Sequence, residues 1–240
     1  MAGAKAAVVI VHGLGEHSGR YDYVARSLNA KGYAAYAQDI RGHGQSTGFP
    51  GRMGDDADRL IADVVEECLR VRAAYDKVFL LAHSMGTLLA LPAVGRMPGG
   101  TLQGLVLSGT ALRPGPAAIE LATKGRVPAA VLSRDPAVVK AYEDDPLVWK
   151  KVPGEVLSRA TQLGEIAEKA VPEVSIPTLL VHGVDDQLCS IDGANYVWVQ
   201  LVTIDKVLQG YPGLYHEILN EPERDQVIAD IVIWMDKHLD

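Results

Sequence analysis

The chain has 240 residues, 48% of them hydrophobic and 22% charged, a balance ordinary for one globular domain of the α/β size range. Its formal net charge of −7 is spread along the chain with no block of Lys and Arg, which argues against a nucleic-acid or anionic-membrane partner. The two cysteines, Cys68 and Cys189, stand far apart without metal-ligand spacing, so both read as reduced, unpaired thiols, no metal is expected, and the cytoplasm is the default compartment.

Residues 6–11 are apolar but too short for a membrane span, and they run into His12-Gly13 with no small-residue cleavage site, so they read as a strand rather than a signal peptide. A helix over 21–31 closed by Gly32 follows, then a strand over 33–38 and a helix over 56–75 that carries Cys68 on its apolar side. A strand over 77–82 leads into a helix over 85–96, and a strand over 104–108 comes next. Residues 109–176 break the alternation: seven prolines punctuate short helical pieces and no strand is legible, which suggests a helical cap over the strand ends rather than an extended connection. Beyond it, strands are expected over 177–182 and 202–208, separated by a helix over 192–201. The last helix is expected over 222–239, with Asn220 as cap, Pro222 in the first turn and Glu223 three residues after the cap. Continuous apolar strands alternating with helices predict a mostly parallel sheet of about six strands with helices on both faces.

The strand over 77–82 ends in Ala82-His83-Ser84-Met85-Gly86, a serine between two very small residues at a junction of strand and helix. Such a sharp turn exposes a nucleophile and leaves no room for large side chains at its flanks. In a parallel sheet of this type the loops at the carboxyl ends of the strands gather, and an acid and a histidine are expected in that chain order after the serine. Asp185 and Asp186 follow the strand over 177–182, and His216 lies in the loop after the strand over 202–208. A serine hydroxyl is a poor nucleophile at neutral pH, so His216 would take its proton, and the acid would hold the imidazole in the right tautomer. His12, His43, His83, His182 and His238 have weaker claims by position. His12-Gly13-Leu14-Gly15 after the first strand is placed to turn backbone amides toward the site; with the amide of Met85, that of Leu14 would make an oxyanion hole. It lacks dinucleotide-fingerprint spacing, so no cofactor is expected.

Four segments together, His12-Gly13-Leu14-Gly15-Glu16-His17-Ser18-Gly19-Arg20-Tyr21, Asp39-Ile40-Arg41-Gly42-His43-Gly44-Gln45-Ser46, His83-Ser84-Met85-Gly86 and Tyr211-Pro212-Gly213-Leu214-Tyr215-His216-Glu217, resemble the monoacylglycerol lipase and lysophospholipase branch of the α/β-hydrolases, closest to its bacterial members. The resemblance extends over nearly the whole chain, including Ser133-Arg134-Asp135-Pro136 and Asn220-Glu221-Pro222-Glu223-Arg224. It implies an α/β-hydrolase fold with a short cap and a cofactor-free serine esterase acting on single-chain glycerol esters. Ser84, Asp186 and His216 would be catalytic, Asp186 rather than Asp185 because the family register places the acid three residues after the glycine. The same register carries glycerol recognition to Glu16 and Arg20, which could otherwise form an exposed salt bridge at a helix start. Leu219 stands where some family members have a polar residue. The edge strands usual in the family are not legible ahead of residue 6, and the cap looks short, which implies a more open site, a preference for short to medium acyl groups and transient contact with lipid surfaces through the cap. A general carboxylesterase or thioesterase, or a non-hydrolytic ligand-binding homologue, is the alternative.

Overall fold

The computed structural model describes residues 3–46, 51–54 and 56–239. Its six strands are β1 (Ala6–Val11), β2 (Tyr33–Gln38), β3 (Val78–His83), β4 (Gly104–Ser108), β5 (Thr178–Gly183) and β6 (Lys206–Tyr211), all parallel in the order β2-β1-β3-β4-β5-β6. The unbroken apolar character of the central strands follows from burial on both sides. On β1, Ala7, Val9 and Val11 face one core while Ala6, Val8 and Ile10 face the other. The first core is closed by α2 (Ala57–Arg72), α3 (Met85–Arg96) and α7 (Ile191–Gln200), the second by α1 (Asp22–Ala30) and α8 (Arg224–Asp236). Cys68 lies on the buried side of α2, and both cysteines are free.

Strand order reverses between β1 and β3, because the chain leaves β1 toward β2 on one side and returns to pair β3 on the other. The loops after those two strands therefore diverge from a common crevice, where ligands bind in open α/β sheets. Between β4 and β5 the chain forms α4 (Ala118–Lys124), α5 (Pro136–Asp144) and α6 (Gly154–Ala170) with no strand, only an isolated bridge between Pro114 and Cys189. Helix α6 joins the first core through Val156, Leu163 and Ala167, while Val127, Leu132, Tyr142 and Val148 cluster with Leu188 and Cys189 of the turn after β5. The Trp149 amide donates to the Gly15 carbonyl (2.8 Å), and His17 Nε2 lies 2.8 Å from Asp145 Oδ2, so the insertion is tied to the loop after β1.

Two expectations need correction. The last strand begins at Lys206, not at 202: Val202 and Ile204 are 59% and 99% exposed, so this β-branched run is a surface connection rather than a buried strand. The last helix begins at Arg224, and Asn220 does not cap it; its Nδ2 donates to Glu217 Oε2 (2.9 Å) instead. Among the described residues no helix is long and apolar enough to cross a membrane.

Candidate active site

Strand β3 runs to His83 and α3 starts at Met85, so Ser84 alone must make the turn between them. Its φ of 52° and ψ of −124° make it the one non-glycine with positive φ among the described residues, a conformation that costs on the order of 1–3 kcal/mol and persists only where its surroundings impose it. Here they do: the Ser84 amide donates to the Ser108 carbonyl (2.9 Å), and the Ser84 carbonyl accepts from the Thr87 amide (2.9 Å) and Thr87 Oγ1 (2.6 Å). A Cβ on Gly86 would stand 2.5 Å from the Val11 carbonyl oxygen and 2.7 Å from that of His12. Glycine there lets α3 abut the end of β1, which brings Gly13 against the Ser84 side chain.

The same close approach operates on the acid side. A Cβ on Gly183 would stand 2.2 Å from the Tyr215 carbonyl oxygen, so β5 ends in backbone contact with the loop that carries His216. His216 Nδ1 lies 2.7 Å from Asp186 Oδ2, and His216 Nε2 lies 2.9 Å from Ser84 Oγ. Asp186 Oδ1 accepts from the amides of Leu188 (2.8 Å) and Cys189 (2.9 Å), which fixes the carboxylate plane. Asp185 turns away, and its Oδ2 accepts from the Gly213 amide (2.6 Å). All three linked side chains are buried.

Burial opposes charge on both partners, but the pair overcomes it. Desolvation pushes the Asp186 carboxyl up, yet the His216 charge and hydrogen bonds from His182 and His216 hold it well below the usual carboxylate range. Desolvation pushes the His216 imidazole down, while the Asp186 charge and hydrogen bond, with Glu217 and Glu16, carry it above its ordinary value. An ionised Asp186 accepts a hydrogen bond from Nδ1–H, which keeps that proton on Nδ1 and leaves the Nε2 lone pair facing the Ser84 hydroxyl.

The other histidines serve as frame. Thr110 N–H donates to His182 Nδ1 (3.2 Å), which puts the His182 proton on Nε2, 3.0 Å from the Cys189 carbonyl and 3.3 Å from Asp186 Oδ2. His83, its ring 4.8 Å from that of His216, is pushed down to about 4 by burial and by His216. His12 Nε2 accepts from the Ile40 amide (2.9 Å), and His43 stacks on Trp149 at 3.9 Å between ring centres. His238, on the far side, bonds the Trp234 carbonyl (2.8 Å).

Glu16 Oε1 takes the Gly13 amide at 2.6 Å, and among the described residues the next amide, Leu14, and that of Met85 have no protein partner. Glu16 and Arg20 do pair, at 2.7 Å, but the pair is buried rather than exposed: Glu16 also accepts from Tyr21 OH (2.8 Å), and Arg20 lies over the Tyr142 ring at 4.8 Å. Burial would raise the Glu16 carboxyl, but Arg20, His83 and His12 bring it down to about 2.

Glu217 was not anticipated. It binds Arg20 through two parallel contacts of 2.7 Å each, and the sequence signal was its place at the end of the motif that carries His216, with no role attached to it. Glu221, buried, accepts from the Tyr215 amide (2.8 Å) and Arg134 Nε (3.1 Å), so the two outlying motifs of the sequence pair with one another and pin the His216 loop from its other side. Leu219, where a polar residue was the comparison, is buried in the core under α8.

Above Ser84 opens a cavity of about 510 Å³. Its larger part is apolar, lined by Met85, Leu88, Leu112, Leu121 and Leu157, and the polar end beside His216 is lined by Glu16, Arg20 and Glu217. No group of three or more His, Cys, Asp or Glu among the described residues is placed to hold a metal ion.

A family profile described as serine aminopeptidase, S33, matches residues 2–223. The chain is similar to the monoacylglycerol lipase of Mycolicibacterium smegmatis, 34% identical over 97% of this chain and 88% of that protein, and to the monoglyceride lipase of Homo sapiens, 32% identical over 96% and 82%. The crystal structure of a monoacylglycerol lipase from Paleococcus ferrophilus superposes with a TM-score of 0.84 at 31% identity, covering 97% of this chain and 94% of that one. Fold, profile and relatives agree: the chain belongs to the serine aminopeptidase S33 family of α/β-hydrolases.

Proposed function

We propose that the protein is a serine hydrolase that cleaves the ester bond of monoacylglycerols through an acyl-enzyme, with Ser84 as nucleophile, His216 as general base and acid, and Asp186 as the group that orients His216. The hydrogen-bonded chain from Asp186 through His216 to Ser84 Oγ carries this reading, and the named activity of the relatives supports the substrate class.

In the reaction so read, Ser84 Oγ attacks the ester carbonyl carbon as His216 Nε2 takes the hydroxyl proton, and Asp186 stabilises the imidazolium. The carbonyl oxygen becomes an oxyanion, and the Leu14 and Met85 amides donate to it; losing one such donor typically costs on the order of 10²–10³ in rate. The tetrahedral centre collapses, the C–O bond to glycerol breaks, and the Nε2 proton goes to the leaving oxygen. Water then attacks the acyl-Ser84 carbonyl with His216 as base, and the fatty acid and the Ser84 hydroxyl are released.

The alcohol must leave on the His216 side, where Glu16 and Arg20 lie, and the acyl chain on the apolar side. The insertion between β4 and β5 acts as a cap: Leu121 and Leu157 stand over the apolar part of the cavity, and Ile119, 69% exposed, is suited to touching a lipid surface. The two free buried thiols are in keeping with a reducing, cytoplasmic setting.

A panel of decanoyl esters of glycerol, ethanol and a thiol tests the substrate class, and a series of acyl lengths on glycerol tests the cap. Monodecanoylglycerol is expected to give the highest kcat/KM of the panel, with a maximum between butanoyl and decanoyl in the series and a fall by palmitoyl, since each buried methylene adds roughly 0.8 kcal/mol only while covered surface lasts. Equal or faster turnover of the ethyl or thiol ester would favour a general carboxylesterase or thioesterase.

A further inference from the structure

The leaving-group end of the cavity holds three buried charged side chains, and the second carboxylate changes its balance. Arg20 Nη1 donates to both Glu16 Oε2 and Glu217 Oε1, and Nη2 donates to Glu217 Oε2, all at 2.7 Å. Its guanidinium is therefore engaged by two carboxylates, and the trio carries two negative charges against one positive. All three side chains are nine-tenths buried or more, so water screens the remaining negative charge weakly. Glu217 directly follows His216, the group that must protonate the departing alcohol, and it lines the same cavity as Ser84.

We propose that Glu217 is the residue that selects the leaving group: by engaging Arg20 and leaving the alcohol end net anionic, it admits neutral polyols and rejects alcohols that carry a phosphate. This rests on the monoacylglycerol reading and narrows it. A carboxylate offers about four acceptor positions, and Arg20 and Asn220 Nδ2 (2.9 Å) take three of those on Glu217. The remaining acceptors of Glu16 and Glu217 suit the hydroxyl donors of glycerol. A phosphate brings only acceptors and negative charge, and three of the five N–H donors of the guanidinium that would recognise it are already taken by carboxylates.

The test compares 1-monodecanoylglycerol with 1-decanoylglycerol 3-phosphate, both below the onset of micelles, on wild type, Glu217→Gln and Glu217→Asp. Charges a few ångströms apart in a partly dry site interact strongly, so wild type should favour the neutral ester by on the order of a hundredfold in kcat/KM, and Glu217→Gln should narrow that ratio by at least about tenfold whatever its absolute rate. Glu217→Asp, which keeps the charge, should keep the wild-type ratio. A wild-type ratio near one would overturn the proposal, as would equal losses on both esters in Glu217→Gln, which would mean that Glu217 only holds the His216 loop. Should Glu217→Gln fail to fold, a wild-type ratio near one, or a ratio that collapses in Glu217→Asp although the charge is kept, would still overturn the proposal. Failure of the broader reading looks different: ethyl decanoate would turn over and neither glycerol ester would.

Discussion

The turn that presents Ser84 and the charged cluster beside it lie in one cavity but are held by opposite means. At the turn, backbone does the holding: Gly86 allows two carbonyls within a distance no side chain would tolerate, and neutral hydrogen bonds fix an unfavourable φ. In the cluster, side chains hold one another through charge, with Arg20 joining Glu16 of the loop after β1 to Glu217 of the loop after β6. The turn can therefore present an uncharged nucleophile without stored charge, whereas the cluster is stable only while all its members are present.

The largest effect should separate two adjacent carboxylates. Asp186→Asn is expected to lose on the order of 10³–10⁴ in kcat, because the amide favours the wrong His216 tautomer, while Asp185→Asn should lose less than about tenfold, since Asp185 only receives the Gly213 amide. Steady-state kinetics on any soluble ester would check this, and the reverse order would put the acid at Asp185.

Next comes the cluster. Arg20→Met leaves Glu16 and Glu217 buried together without a counter-charge and should cost about 3–5 kcal/mol in urea unfolding at pH 7. The folded Glu16 carboxyl, near 2, is depressed below its unfolded value of about 4.5, so its pairing stabilises the fold above that unfolded value and the contribution is lost as pH falls toward 2. Wild type and variant should thus converge in acid. A difference that persisted undiminished below about pH 3 would mean that the variant loses packing, not charge pairing.

The smallest effect is a shift in pH dependence. The proposed reaction needs His216 neutral, and its raised value means that the acid limb of kcat/KM should have its midpoint above about 6.5. Glu217 contributes to that elevation after Asp186, so Glu217→Gln should move the midpoint down. A midpoint unchanged by the substitution would detach the cluster from the imidazole.

Much of this was legible in the chain because the relevant signals are local. Each catalytic candidate follows the end of an apolar run, and the parallel sheet sends every such end to one side, so Ser84, His216 and the adjacent pair Asp185 and Asp186 could be placed before any contact was known, the choice of Asp186 coming from the family resemblance. Where partners are remote, the signal fails. Glu217 takes its meaning from Arg20, 197 positions earlier, and nothing in its neighbourhood encodes that. Asn220 has the residue type and spacing of a helix cap, yet tertiary pairing with Glu217 claims its side chain. Residues 202–204 read as buried strand because they are β-branched, but β6 is the last strand of the sheet and the run ahead of it faces outward.

The central claim, that Ser84 is the nucleophile activated by His216, is tested most directly by reaction with a soluble alkyl nitrophenyl phosphonate, followed by intact mass and peptide mapping alongside monodecanoylglycerol turnover. The account predicts one adduct per chain on Ser84, none on a folded Ser84→Ala variant, much slower labelling in His216→Ala, and losses of turnover on the order of 10⁴–10⁶ in both variants. Substantial turnover by folded Ser84→Ala, or an adduct at another residue that tracks the loss of activity, would contradict it.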